Sequence, residues 1–210
     1  MLKVRTDLDV EFAALELYEL EVTEPREDFE LEIARATQAV RSGTIGDVGR
    51  ARALYRRFGT DPTRVRPSSE ALLRRLKKGD PLPRVNSLVD VANALSVQLQ
   101  VPVGLYDLEK ARGDELTIRL GAEGEGYVGI GKEHVNVSGR LCVADATGPC
   151  GNPSADSART MITTACRRAL VIVYAPGRFP PARLQSVLDE TAATLTRWSG
   201  GSESARQMLP

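Results

Sequence analysis

The chain predicts a mixed α+β domain, a β-sheet with helices packed against it, on three observations. Its 210 residues are 42% hydrophobic and 27% charged, the balance of a globular chain long enough to bury a core. Short alternating or continuous apolar runs such as "ELTIRL" and "ALVIVYA" read as strands. Longer segments repeat apolar residues every three or four positions and read as helices.

Taken in order, "AALELYELEV" at 13–22 sets Leu15, Leu17, Leu20 and Val22 in the pattern of a bulged strand, closed by Pro25. "FELEIARATQAV" and "GRARALYRRFG" read as helices, the second stopped by Gly59, with Arg56 and Arg57 suited to the negative end of the dipole. A turn follows at Asp61 and Pro62. "RPSSEALLRRLKKGDPLP" is a helix capped by Ser68 or Ser69, with Ala71, Leu72, Leu73 and Leu76 as its apolar contacts and Gly79 as its stop. Further strands are expected near 116–120, 127–130, 140–145 and 169–175. "PPARLQSVLDETAATLTRW" is a helix opened by proline, with Leu184, Val187, Leu188, Leu195 and Trp198 on one face. Residues 200–210 read as a flexible tail behind a single domain of residues 1–199.

The stretch "PLPRVNSLVDVANALS" stands apart. Val85, Leu88, Val89, Ala92 and Leu95 form a core stripe at helical spacing, while Asn86, Asp90 and Asn93 line up on a neighbouring stripe. Ser87 and Asp90 have the spacing of a capped N-terminus, which accounts for Asp90. Asn93 has no such reason, because asparagine competes for backbone hydrogen bonds inside a helix. The stripe faces either an internal polar network or a ligand cleft. "ATGPCGNPSADSART" at 146–160 reads as a polar loop in which Asn152, Asp156, Ser157, Arg159 and Thr160 supply hydrogen-bonding groups, again either a binding loop or ordinary surface. A cleft between the helix at 88–98 and this loop is the expected place for a small guest.

Composition narrows the chemistry. Cys142, Cys150 and Cys166 are odd in number without CxxC spacing, so they read as reduced thiols. His134 is the only histidine, which disfavours His-based triads and metal sites. No metal or organic cofactor is expected. Gly124, Gly126, Gly129 and Gly131 are not a dinucleotide fingerprint, since no long buried strand precedes them and no helix follows. No apolar h-region opens the chain and no run of 18 apolar residues occurs, so a cytoplasmic protein is expected.

The net charge of zero is unevenly spread: residues 1–32 hold eleven acidic and three basic side chains, residues 35–84 thirteen basic and four acidic. Such a split either neutralises within the fold or leaves a positive face for phosphates. Lys77 and Lys78 suit the end of a helix dipole. Arg64 and Arg66 precede the helix, where the dipole does not account for them.

"RPSSEALLRRLKKGDPLPRVNSLVDVANALSVQLQVPVGLYDLEKARGDELTIRL", followed by Asp145, Gly148, Ser157, Arg159 and Thr160, resembles the tRNA-binding B3/B4 domain. That domain is the editing module of the phenylalanyl-tRNA synthetase beta chain and also occurs alone. The resemblance covers about residues 10–180 and implies a B3/B4-like fold. It further implies a tRNA or aminoacyl-tRNA partner and the hydrolysis in trans of a mischarged aminoacyl-tRNA by a positioned water, with no aminoacylation motif for charging tRNA. The alternative is a non-catalytic module that binds RNA or an amino acid.

On the hydrolytic reading, Asn86, Asp90 and Asn93 form one wall of the pocket and Asn152, Ser157, Arg159 and Thr160 the other. Arg64, Arg66, Arg74, Arg75, Lys77, Lys78 and Arg84 would hold the RNA. An apolar site rejects an extra hydroxyl poorly, which is why a second, hydroxyl-reading pocket corrects such errors. Two positions depart from the synthetase pattern: Gly104 stands where its pocket has a histidine, and Arg159 falls near its hydroxyl-reading glutamate.

Overall fold

The continuous apolar run Ala169–Tyr174 is buried on both faces and forms the central strand of the computed structural model, which describes residues 3–9, 12–45, 48–174 and 180–209. Residue 175 of the expected strand at 169–175 lies outside the described residues, as does residue 210 of the expected tail.

The elements in order are β1 (Lys3–Thr6), β2 (Phe12–Tyr18), α1 (Glu30–Arg41), α2 (Gly49–Arg57), α3 (Ser68–Lys77), α4 (Ser87–Leu99), β3 (Val103–Asp107), β4 (Glu115–Leu120), β5 (Gly126–Gly129), β6 (Lys132–Asn136), β7 (Leu141–Asp145), β8 (Gly148–Asn152), β9 (Ala155–Asp156), β10 (Ala169–Tyr174), α5 (Pro181–Ser199) and β11 (Ser202–Leu209). A 3-10 turn at Glu27–Phe29 leads into α1.

Two sheets and a helical layer result, a mixed α+β architecture. One sheet runs β11-β2-β10-β3, all antiparallel. The other runs β1-β4-β7-β8-β9, with β1 parallel to β4 and the remaining pairs antiparallel, and β5–β6 is a separate hairpin. Because successive side chains on a strand point to opposite faces, β10 serves two cores. Ala169, Val171 and Val173 meet the helices with Leu73, Leu88, Leu95, Val187 and Leu188, while Leu170, Ile172 and Tyr174 meet the other sheet with Leu116, Ile118 and Val143.

Four features differ from the sequence reading. The segment 146–160, expected as a loop, holds the β8–β9 hairpin, in which Pro149 sits at a register shift opposite Ala144, a place where a strand tolerates proline. The segment 200–210, expected as a tail, contains β11, which pairs with β2 along its length. Backbone groups make that ladder, so the polar side chains of "SESARQML" carried no apolar signal for it. "VGLYD" forms the edge strand β3. Val85, expected in the core stripe, is 50% exposed because it precedes the helix, whereas Leu88, Ala92 and Leu95 are buried.

Candidate functional site

The polar stripe of α4 begins as a helix cap. Asn86 is the N-cap residue: its Oδ1 accepts from the Val89 amide at 3.0 Å, and its Nδ2 donates to the Ile162 carbonyl at 3.3 Å. Asp90 turns back on the same end, accepting from the Val85 amide at 2.7 Å and from Arg84 Nε at 2.8 Å. Both residues are buried, so each hydrogen bond answers a desolvated polar group. The cap therefore sits one residue before the expected Ser87, whose hydroxyl instead accepts from the Thr23 amide at 3.1 Å. Asn93 differs from both: it is partly exposed and makes no hydrogen bond through its side chain among the described residues.

The residues from 145 to 160 form a second network. Arg159 grips Asp145 with two parallel bonds, Nη1 to Oδ2 at 2.7 Å and Nη2 to Oδ1 at 3.0 Å. Burial pushes the Asp145 carboxyl up, but Arg159, the Thr147 hydroxyl and the amides of Arg112 and Thr147 outweigh it and hold the group at about 2. Ser157 Oγ accepts from the Arg159 amide at 3.1 Å, and Thr160 Oγ1 donates to the Cys150 carbonyl at 3.1 Å. Asn152 Oδ1 accepts from the amides of Ser154 and Ala155 at 2.7 and 3.0 Å, which closes the β8–β9 turn. No hydrogen bond among the described residues joins these four to Asn86, Asp90 or Asn93; the α4 group reaches this side of the molecule only at Ile162.

Between the two sheets lies a feature the residue types alone concealed. Gly104 and Tyr106 project from the same face of β3, and the Tyr106 and Tyr174 hydroxyls are 2.6 Å apart. A Cβ at Gly104 would stand 3.0 Å from Tyr106 Oη and 3.1 Å from Tyr174 Cε2, so the two rings occupy the space a larger side chain would need. Gly151 is tighter still, since a Cβ there would meet Tyr106 Cε1 at 2.6 Å.

Gly151 pairs across the hairpin with Asp156, and directly paired residues point to the same face of a sheet. The Asp156 carboxylate therefore shares the Tyr106 side. It is partly buried, no hydrogen bond or ion pair reaches it among the described residues, and burial pushes it up to about 7. Its charge bears on Tyr106, Tyr127, Tyr174 and Cys150, whose own groups are all pushed up by burial, the thiol to about 12. From the sequence, Asp156 was one hydrogen-bonding residue of a loop among several. That it faces inward follows only from its pairing with Gly151, which no local pattern announces.

Leu54, Tyr55, Phe58, Val65, Leu141 and Asn152 line a small recess that Arg140 also borders. The Tyr55 hydroxyl is committed to Ser154.

The basic residues divide into paired and open groups. Arg84 bonds Asp90, Glu30 and the Arg26 carbonyl, and Arg66 lies 3.4 Å from buried Glu70, which Arg52 also holds. Arg75 donates to the Pro81 carbonyl. Arg64 is exposed and only 3.9 Å from Asp61, while Arg74, Lys77 and Lys78 are exposed and make no ion pair among the described residues. No helix among the described residues is long and apolar enough to cross a membrane.

No curated protein matches the chain. Among solved structures it is similar to an N-terminal fragment of the phenylalanyl-tRNA synthetase beta-subunit from Pyrococcus horikoshii, at 12% identity and a TM-score of 0.52. The alignment covers 99% of this chain and 54% of the fragment, so the chain spans about half the fragment's length, and at that identity the likeness speaks for the fold alone. Residues 50–183, from the start of α2 to the start of α5, match the B3/4 domain. That span holds the capped α4, the Asp145–Arg159 pair and the Asp156 face, and the chain belongs to the B3/4 domain family.

Proposed function

We propose that the chain is a tRNA-binding domain that hydrolyses a mischarged aminoacyl-tRNA presented to it in trans. The observation that carries this reading is the group of exposed cations at the end of α3, Arg74, Lys77 and Lys78, which make no ion pair among the described residues, with Arg64 before the helix 3.9 Å from Asp61, all within the B3/4 span. Cations without close acidic partners attract a phosphate backbone, and the acceptor end of a tRNA offers both phosphates and the ester to be cut. Arg75 joins this group through the part of its guanidinium not bonded to Pro81; Arg66 and Arg84 support it from within their ion pairs.

An aminoacyl ester is already activated, so its hydrolysis needs a held water and donors toward the developing oxyanion rather than a histidine triad. Asn93 and the Nδ2 of Asn152 are the amide donors left without acceptors among the described residues of the two walls. Asn86, Asp90, Ser157, Arg159 and Thr160 contribute by holding the walls. The test is deacylation of a panel of tRNAs, each esterified with one amino acid, with and without the protein. Faster loss of one ester supports the reading, and equal rates for every tRNA overturn it.

A second reading, binding of RNA or an amino acid without turnover, is favoured by one observation. Arg159, near the position of the synthetase's hydroxyl-reading glutamate, is spent on Asp145. Saturable binding of an aminoacyl-tRNA with an unchanged deacylation rate would select it.

A further inference from the structure

Inward-facing carboxylates in this protein come with a cation. Glu16 has Arg168 at 2.6 Å, Glu70 has Arg52 at 2.7 Å, Asp90 has Arg84 at 2.8 Å, Asp107 has Lys110 at 2.9 Å and Asp145 has Arg159 at 2.7 Å. Asp156 breaks the pattern. Neither a cation nor a hydrogen-bond donor reaches its carboxylate among the described residues, although it lies on the sheet face that packs against Tyr106. The titratable groups whose charge state it influences are Tyr106 of β3, Tyr127 of β5, Cys150 of β8 and Tyr174 of β10, and all four are neutral at physiological pH.

A half-buried carboxylate with no counter-charge is an unfavourable arrangement that an incoming cation relieves. The tyrosines around it are held in their neutral form by burial, so no like charge opposes a cation there. The position remains partly exposed, so a ligand group can reach it. The backbone holds it firmly: the Asp156 carbonyl accepts from the Ile130 amide at 3.1 Å, and β9 pairs with β8.

We propose that Asp156, among Tyr106, Tyr127 and Tyr174, is the binding site for the primary ammonium group of an amino acid or its ester. This rests on the reading of the domain as one that takes aminoacyl esters, and it supplies the contact that would orient them. The interaction is a salt bridge at a half-buried position, where such pairs are stronger than at the open surface. Because burial pushes the carboxyl up to about 7, pairing with a cation draws it into the ionised form. Binding below that pH must therefore expel the carboxyl proton to the buffer, and above it must not.

The experiment is titration calorimetry of the full chain with the methyl esters of the twenty L-amino acids, at pH 6 and pH 8, in two buffers of different ionisation enthalpy. The expected result is that at least one ester binds, releasing about one proton from the carboxyl at pH 6 and about none at pH 8, after correction for the amine's own titration. Its des-amino analogue and the Asp156→Asn variant should each weaken binding about tenfold or more. Asparagine nearly matches aspartate in shape, and a circular dichroism spectrum like that of the parent shows that the variant has folded.

Binding that survives loss of the amine or Asp156→Asn overturns the proposal, as does the absence of binding by every ester. A panel of aminoacyl-tRNAs that the parent chain still hydrolyses would then leave the enzymatic reading standing. Failure of both hydrolysis and ester binding removes the two together.

Discussion

Arg159 faces Asp145 across two parallel hydrogen bonds of 2.7 and 3.0 Å, and the Asp145 side chain is fully buried behind it. The pair ties the end of β7 to the segment that follows β9, so the hairpin bearing Asp156 is clamped at both ends. An arginine that reads as a ligand contact in the sequence is a strut in the fold.

Removing that strut leaves a carboxylate buried without its cation. Arg159→Ala is expected to destabilise the chain by about 2–4 kcal/mol at pH 7, somewhat below a fully buried pair because the arginine is about one-third exposed. Asp145 is held at about 2 in the folded chain and titrates near 4 when unfolded, as an ordinary aspartate does. Its contribution is therefore present above about pH 4 and lost as pH falls toward about 2, so the gap between parent and variant should close in that window. Urea unfolding at pH 7, 5 and 3 measures it.

Asp156 has the opposite sign. Its folded value of about 7 lies above the unfolded one, so the folded chain holds an extra proton between about pH 4 and 7 and stability falls as pH rises through that range. Asp156→Asn removes the slope and is expected to be the more stable protein at pH 8 by about 1–3 kcal/mol, the figure being discounted for partial exposure. Parallel denaturant titrations of parent and variant at pH 5 and pH 8 check the crossover.

The two asparagines at the ends of the α4 stripe should separate. Asn86→Ala loses the cap and strands the Ile162 carbonyl, at a cost of about 1–2 kcal/mol in stability. Asn93→Ala breaks no side-chain bond and places a better helix former in the helix, so thermal unfolding should be unchanged or slightly raised. On the hydrolytic reading it lowers the deacylation rate instead.

For RNA, Glu substitution of Arg74, Lys77 and Lys78 together is expected to weaken tRNA binding at low salt. The slope of log affinity against log salt should flatten by about 0.7–0.9 for each phosphate the variant no longer neutralises. Fluorescence titration over a range of salt concentrations reads both quantities. A slope equal to that of the parent would show that α3 faces away from the nucleic acid.

Truncation after Gly200 removes β11 and leaves the β2 edge unpaired. It also removes Gln207, whose amide bonds both the N–H and the C=O of Val4 and so joins the two sheets. Lower stability and self-association through the bared edge are expected, and gel filtration with urea unfolding would detect them.

What the sequence determined by itself were the elements whose signal is local. Leu88, Ala92 and Leu95 marked α4, the unbroken apolar run marked β10, Leu184, Val187 and Leu188 marked α5, and the motifs around α3 and α4 marked the family. Helical spacing and continuous burial are written in neighbouring residues, so they can be read without knowing what packs against them. β11 and the β8–β9 hairpin were not legible in this way, because their ladders are made by backbone groups, and the polar and glycine-rich side chains along them carry no alternation.

The roles of the polar residues were decided only by the tertiary structure. Asn86, Asp90, Ser157, Arg159 and Thr160 have the chemistry of ligand contacts, and the fold gives each a protein partner. Asp156 has the same chemistry, and the fold gives its carboxylate none among the described residues. The physical reason is that a polar side chain's function depends on what remains unsatisfied after folding, and that balance is settled by distant residues.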